Sequence, residues 1–219
     1  MAYPTVDRPY GLKPINLIGG QVFAGATRQL TIASGYGTSI FYGDLVKLVS
    51  GGTIQKDTGT TTATPCGVFM GCSYVNAQGQ VIFQQYFPAS TTAPTGTVIT
   101  AYVADDPDQL FKVVNVAGTT ADDTTSGLLP AYLGRTMIGS NAQLVQNAGS
   151  TATGDSKVAI YSAAGGTTTA TLPIRIVDVV PDTANASGNF CEFIVKWNAP
   201  NVTGQTVAGG HQYLNPTGV

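Results

Sequence analysis

A single glutamate, Glu192, stands in a chain of 219 residues. Glutamate is one of the strong helix formers, and no window of this sequence repeats apolar residues at i, i+3, i+4 and i+7 for long. What recurs is a short β-branched or aromatic segment followed by a cluster of Gly, Thr, Asn, Asp or Pro, the rhythm of strands and turns. The expected fold class is all-β, a β-sandwich or β-barrel of short antiparallel strands with extended N- and C-terminal arms.

Strands are expected at residues 44–49, 67–75, 81–87, 97–104, 109–116, 157–162, 172–180 and 190–198. In the last of these, Cys191, Phe193, Val195 and Trp197 fall on one face and Glu192 and Lys196 on the other, as a half-buried strand requires. Trp197 is therefore assigned to the core. The loop Asn76-Ala77-Gln78-Gly79-Gln80 reads as a hairpin connection, and Asp105-Asp106-Pro107-Asp108 as another turn. Residues 57–65, 88–96 and 117–127 are rich in Thr, Ala, Ser and Gly and bury little apolar area to offset ordering entropy. They are expected as surface loops, or as segments ordered only against a partner.

The organisation read from the sequence has three parts. Residues 1–15 form an N-terminal arm, kept extended by Pro4, Pro9 and Pro14. Residues 16–198 form the β domain, which divides, if at all, near 117–154. Residues 199–219 form a Gly- and Pro-punctuated tail. The arm carries Tyr3, Arg8 and Tyr10 and the tail carries His211, Tyr213 and Leu214. Large groups on extended arms suit contact with a neighbour, so Tyr3, Pro4, Arg8, Pro9, Tyr10, His211, Tyr213 and Leu214 are the candidate contact residues.

Charged residues make up only 10% of the chain, against about 25% in an ordinary globular domain. Thr, Ser, Asn, Gln and Gly must cover much of the surface, which suits contact with other protein. The net charge is −2 and the basic residues form no run or stripe, so nucleic acid is not an expected partner. The longest apolar runs are of strand length and carry charges, so no membrane span is expected. The N-terminus lacks the basic and apolar pattern of a secretory signal. Cys66 and Cys72 on one extended strand would lie roughly 20 Å apart, beyond disulfide reach. With Cys191 they are expected as buried free thiols in a reducing compartment.

Catalytic chemistry finds little to work with. His211 is the only histidine, and no Gly-x-Ser-x-Gly elbow offers it a nucleophile. Asp105, Asp106 and Asp108 lack the spacing and distal glutamate of a calcium loop. The cysteines make no Cys-x-x-Cys and have no second histidine for zinc. The sequence therefore points away from an enzyme, and no cofactor or metal is assigned.

Gly43-Asp44-Leu45-Val46-Lys47-Leu48, followed by Cys66-Gly67-Val68-Phe69-Met70-Gly71, resembles the "Gly-Asp-Leu-Val, then Gly-Val" pattern of head decoration proteins of tailed bacteriophages. The stretches from Ala104 to Val113, Leu172 to Asp178 and Phe193 to Asn198 resemble virion proteins of marine tailed phages. The resemblance implies a structural virion protein, β-rich and usually homotrimeric. Such a protein binds the outside of the head at threefold or quasi-threefold positions, stabilises the lattice of the major capsid protein, and assembles in the host cytoplasm. Against it stand another phage structural subunit (tail, fibre or major capsid) and a β-sandwich module binding sugar or a cell surface. A major capsid protein should show a long helix, and a sugar-binding module several exposed aromatics.

Overall fold

The computed structural model describes residues 8–116, 118, 135–161, 167–183, 190–198 and 211–214. The fold is all-β, with two six-stranded sheets packed against each other as a β-sandwich. Its strands are β1 (Lys13–Leu17), β2 (Arg28–Ile32), β3 (Leu45–Leu48), β4 (Ile54–Lys56), β5 (Gly67–Val75), β6 (Val81–Gln84), β7 (Ile99–Ala104), β8 (Gln109–Val114), β9 (Asn141–Val145), β10 (Ala159–Tyr161), β11 (Ile174–Val179) and β12 (Glu192–Trp197).

The first sheet runs β1-β8-β12-β11-β9-β10 and the second β3-β4-β2-β7-β5-β6. In the second, β3 also pairs with β5 through Leu45 opposite Val68 and Val46 opposite Gly67. That pairing closes β3, β4, β2, β7 and β5 into a ring and leaves β6 as a flap on its outside. The inward residues of the ring, among them Ile32, Val46, Ile54, Phe69, Cys72, Ile99, Ala101 and Val103, form one core capped by Ile40 and Phe87. Leu45, Val68 and Ala63 pack outward against Phe111, Val113, Ile174, Ile176, Phe193, Val195 and Trp197 of the first sheet. Alternation along the strands thus supplies both layers, because successive residues face opposite sides.

The two sheets do not divide at 117–154. The second sheet is built from β2 to β7 and is inserted between β1 and β8, which are antiparallel neighbours in the first sheet. The crossing point is the turn after Ala104, where the Asp106 side chain accepts from the Asp108 amide at 2.8 Å.

The expected arm is not a separate element from residue 9 onward. Leu12 is completely buried, and its amide donates to the Gly43 carbonyl at 3.0 Å. Lys13 and Pro14 then pair with Lys112 and Phe111. Pro14 is tolerated because β1 is an edge strand, where a missing N–H leaves no ladder bond unmade. The loop of 57–65 is likewise ordered by this chain alone. Its Ala63 is in the core, and Gln146 donates to the Asp57 and Gly59 carbonyls at 3.1 and 2.8 Å. In 88–96, the Ala89 and Ala93 amides donate to the Ser39 and Ser34 hydroxyls, both at 3.0 Å. Of 117–127, only Gly118 falls within the described residues.

Candidate interaction surface

The Gly-Asp-Leu-Val segment builds the scaffold. Asp44 is fully buried, accepting from the Phe41 amide at 2.9 Å, Lys56 Nζ at 2.8 Å and Ser156 Oγ at 2.6 Å. One carboxylate therefore ties β4 and the 150s loop to the segment that leads into β3. Gly43 has φ +92°, and a Cβ there would stand 3.2 Å from Gly11 Cα and the Leu12 amide, so only glycine lets the N-terminal segment cross. Gly67 opposes Val46 at the ring closure, where a Cβ would meet the Ala104 carbonyl at 2.5 Å. These residues hold the strands in place and reach no solvent-facing site.

The candidate contact residues fall into three groups. Tyr3 and Pro4 lie outside the described residues, as does the side chain of Leu214. Pro9, Tyr10 and His211 are engaged within the chain. Pro9 is buried, and the Tyr10 hydroxyl donates to Glu192 Oε1 while its ring lies under Lys13 Nζ at 4.7 Å. Glu192, expected opposite the core face of its strand, is buried beneath this tyrosine and also meets Lys112 at 3.1 Å. Burial and the bond to Glu192 push the Tyr10 hydroxyl far above its usual range.

His211, expected on an exposed tail, is completely buried. It packs edge-on against Trp197, with ring centroids 5.8 Å apart, and its Nδ1 accepts from the Tyr213 amide at 3.2 Å. Burial lowers its pKa to about 4. Gln212 behaves as an extra strand residue, with Oε1 accepting from the Leu48 amide at 2.8 Å and Nε2 donating to the Leu48 carbonyl at 3.0 Å. Residues 211–213 therefore form a strap across both sheets. Among the described candidates only Arg8 and Tyr213 are exposed, while Tyr10 is half-buried. Tyr213 donates to Asp105 at 3.1 Å beneath Arg28.

The least fastened surface lies elsewhere. The 47 residues from 58 to 104 contain no Asp, Glu, Lys, Arg or His, and they supply β5, β6, β7 and the loops between them. Val81 and Phe83 on β6 are 62% and 72% exposed, and Val98 beside β7 is 62% exposed. Their neighbours on the same face are Ser73 and Val75 of β5 and Thr100 and Tyr102 of β7. The Ser73 and Tyr102 hydroxyls bond each other at 3.1 Å. Neutral side chains of this kind present methyls, two aromatic rings and hydroxyls, with no ion to desolvate on contact.

A cleft of about 530 Å³ opens beside the connection from β1 to β2, lined by Leu17, Val22, Phe23, Arg28, Asp105 and Gln109. Of its charged groups, Arg28 Nε pairs with Asp105 Oδ2 at 2.6 Å, and Asp106 accepts from the Asp108 amide at 2.8 Å. Among the described residues no group of three His, Cys, Asp or Glu is placed to hold a metal ion. No helix there is long and apolar enough to cross a membrane. The three cysteines are free and buried, and burial raises Cys66 and Cys72 to about 12 and Cys191 to about 11, which leaves them poor nucleophiles. Compared with protein-family models, curated proteins and solved structures, the chain matches none.

Proposed function

We propose that this chain is a structural virion subunit, a decoration protein that binds the outer surface of a tailed-phage head as a homotrimer and stabilises the lattice of the major capsid protein. The observation that carries the reading is the uncharged side of the second sheet, where an open strand and exposed Val81, Phe83 and Val98 offer a contact surface to other protein. Strand addition to such an edge and burial of its apolar groups are ordinary means of peptide and subunit recognition. The Gly-Asp-Leu-Val and Gly-Val segments that resemble decoration proteins serve the ring closure. Their contribution to the reading is a shared scaffold, and the contact residues lie on the other face.

The function follows from many small contacts. Each copy that bridges neighbouring capsid subunits adds its binding free energy to the work of separating them, and linked contacts of a trimer gain avidity. Imaging of purified virions carrying a label on this chain tests the proposal. Label on the outside of the head at threefold or quasi-threefold positions supports it. Label on the tail or a fibre overturns it in favour of another structural subunit, and label absent from the particle overturns both. Incubating the protein with undecorated heads should raise the temperature at which they open.

A further inference from the structure

The edges of the two sheets are treated very differently. At the free side of β1, Pro14 removes a donor, Lys13 places a charge, and Asn16 pairs with Val22 in a hairpin closed by Leu17 N to Gln21 O at 2.9 Å. At the other end of the first sheet, Ile160 of β10 bridges to Asn115, and its carbonyl accepts from the Val116 amide at 3.0 Å. In the second sheet β3 is occupied on both sides by β4 and β5. Only β6, among the described strands, has a side with no strand partner and no charge, proline or bulge within its own residues, the devices by which edges are normally protected. The nearest carboxylate is Asp155, held by Gln85 just past its end at 2.9 Å.

The orientation of its main chain follows from the hairpin. The Asn76 amide donates to the Gln80 carbonyl at 2.9 Å, so 76 and 80 form a hydrogen-bonded pair. Alternation in an antiparallel ladder makes 74 with 82 and 72 with 84 bonded pairs too, in the observed register. Val81 and Phe83 therefore turn their N–H and C=O groups outward, away from β5. The same two residues carry the exposed side chains.

We propose that a second copy of this chain docks on β6, antiparallel across a two-fold axis, with Val81 of each copy opposite Phe83 of the other. This register satisfies the outward amides and carbonyls of both residues with four hydrogen bonds and sets the two Ile82 residues face to face. Two features select a copy of the chain as the occupant. The segment from residue 58 to 104 that builds the patch carries no charge, and the one carboxylate beside it, Asp155, is held by Gln85 past the end of β6. Two identical strands therefore meet without like-charge repulsion, whereas a partner bearing charges would have to strip them of water unpaired. With one open edge per copy, the pairing is self-limiting, since an isologous contact closes at two copies and does not propagate. On a shell, this contact would join one decoration trimer to the next. That use rests on the function proposed above, but the contact itself does not.

The free protein tests it. Ile82→Cys places two thiols at a non-hydrogen-bonded pair whose Cα separation of about 4.5 Å suits a disulfide, while the native cysteines are buried. Under mild oxidation the full-length Ile82→Cys variant should form a linked dimer at least tenfold faster than Val22→Cys, whose position is 77% exposed but lies on another surface. Adding Val81→Lys to Ile82→Cys should abolish the difference. Equal rates for Ile82→Cys and Val22→Cys, or linkage indifferent to the lysine, overturn the inference. If linkage is absent but Val81→Lys weakens attachment to undecorated heads, the edge serves the capsid protein and the self-contact is wrong. If linkage occurs but no heads are bound, the self-contact stands and the decoration reading fails.

Discussion

Tyr10 and Phe83 are both aromatic side chains near a sheet edge, one on each sheet, and they meet opposite fates. Tyr10 lies over the first sheet, where its hydroxyl reaches a buried carboxylate and two lysines flank its ring, Lys13 at 4.7 Å and Lys112 at 5.8 Å. Phe83 lies on the second, 72% exposed, on a strand with one unpaired side. The difference teaches where this chain places its charge. Ion pairs and charge-assisted bonds gather where the N-terminal segment and the C-terminal strap are fastened, at Glu192 with Lys112, Asp105 with Arg28, and Asp44 with Lys56. The side that carries β6 has no ion pair and one such bond, from Gln85 just past the strand to Asp155 at 2.9 Å, so little along the strand itself resists a neutral partner.

Removing the fastening at its deepest point should have the largest effect. Asp44→Ala leaves Lys56 buried without its carboxylate and strands the Phe41 amide and Ser156 hydroxyl. A buried pair broken on one side costs about 3 to 5 kcal/mol, which for a chain of this size lowers the melting temperature by roughly 10 °C or more. Calorimetry of the variant checks this, and a loss under about 1 kcal/mol would mean that water reaches the site freely.

The strap predicts a pH dependence. His211 has a folded pKa of about 4 against 6.5 when unfolded, so between these values the unfolded chain binds the extra proton. Stability is then fully present above pH 6.5 and falls as the pH drops toward 4, by about 3 kcal/mol over the whole interval. His211→Gln should flatten that slope without changing the response of the carboxylates below it. A pH profile identical in the two proteins would show that the histidine is not held neutral by the strap.

Tyr10→Phe is expected to act on a smaller scale, since it removes one hydrogen bond to a buried carboxylate that keeps Lys112. The loss should be about 1.5 to 3 kcal/mol, read from the urea midpoint. Deleting residues 1–10 should cost at least as much, because Pro9 and the Tyr10 ring leave with the bond. This reverses what the prolines alone suggest. An arm that only served attachment would come away without lowering the midpoint.

Much of the fold is legible because alternation survives tertiary packing. The nine residues of β5 and the core face of β12, with Trp197 inside, can be read directly from the periodicity. The missed strands share a reason. Lys13–Leu17, Arg28–Ile32, Ile54–Lys56 and Asn141–Val145 are short, and their residues do not alternate strongly enough to stand out from polar surroundings. They become strands by pairing with stronger neighbours. Proline placement misled in the same way, since Pro14 signals an extended chain but cannot say whether that chain is free or an edge strand. His211 and Gln212 were illegible because their burial depends on Trp197 and Leu48, which are distant in sequence. The uncharged span was visible all along, but its meaning needed the register of β5 with β6 to show that its exposed apolar residues also own the unpaired edge.

Phe83→Ser should have the smallest effect on stability and is the sharpest test of the contrast. Relative to Tyr10, Phe83 is larger in exposed area and has no hydrogen-bonding group, so its removal forfeits little contact within the chain. Serine keeps the main-chain bonds of β6 to β5, and loses some strand preference, worth well under about 1 kcal/mol at an edge. The melting temperature of the dilute protein should therefore stay within about 2 °C of the parent, while Tyr10→Phe on the opposite sheet shifts it by about twice that or more. A fall beyond about 5 °C in the dilute variant would mean that the phenyl ring is already covered by its own chain, and the distinction between a fastened and an open side would collapse. If the fall appears only at high protein concentration, the lost stability belongs to an assembled state, because binding that favours the folded form makes the melting temperature depend on concentration. Measuring both variants across a hundredfold range of concentration separates these outcomes, since the Tyr10→Phe loss resides within one chain and should not change with dilution.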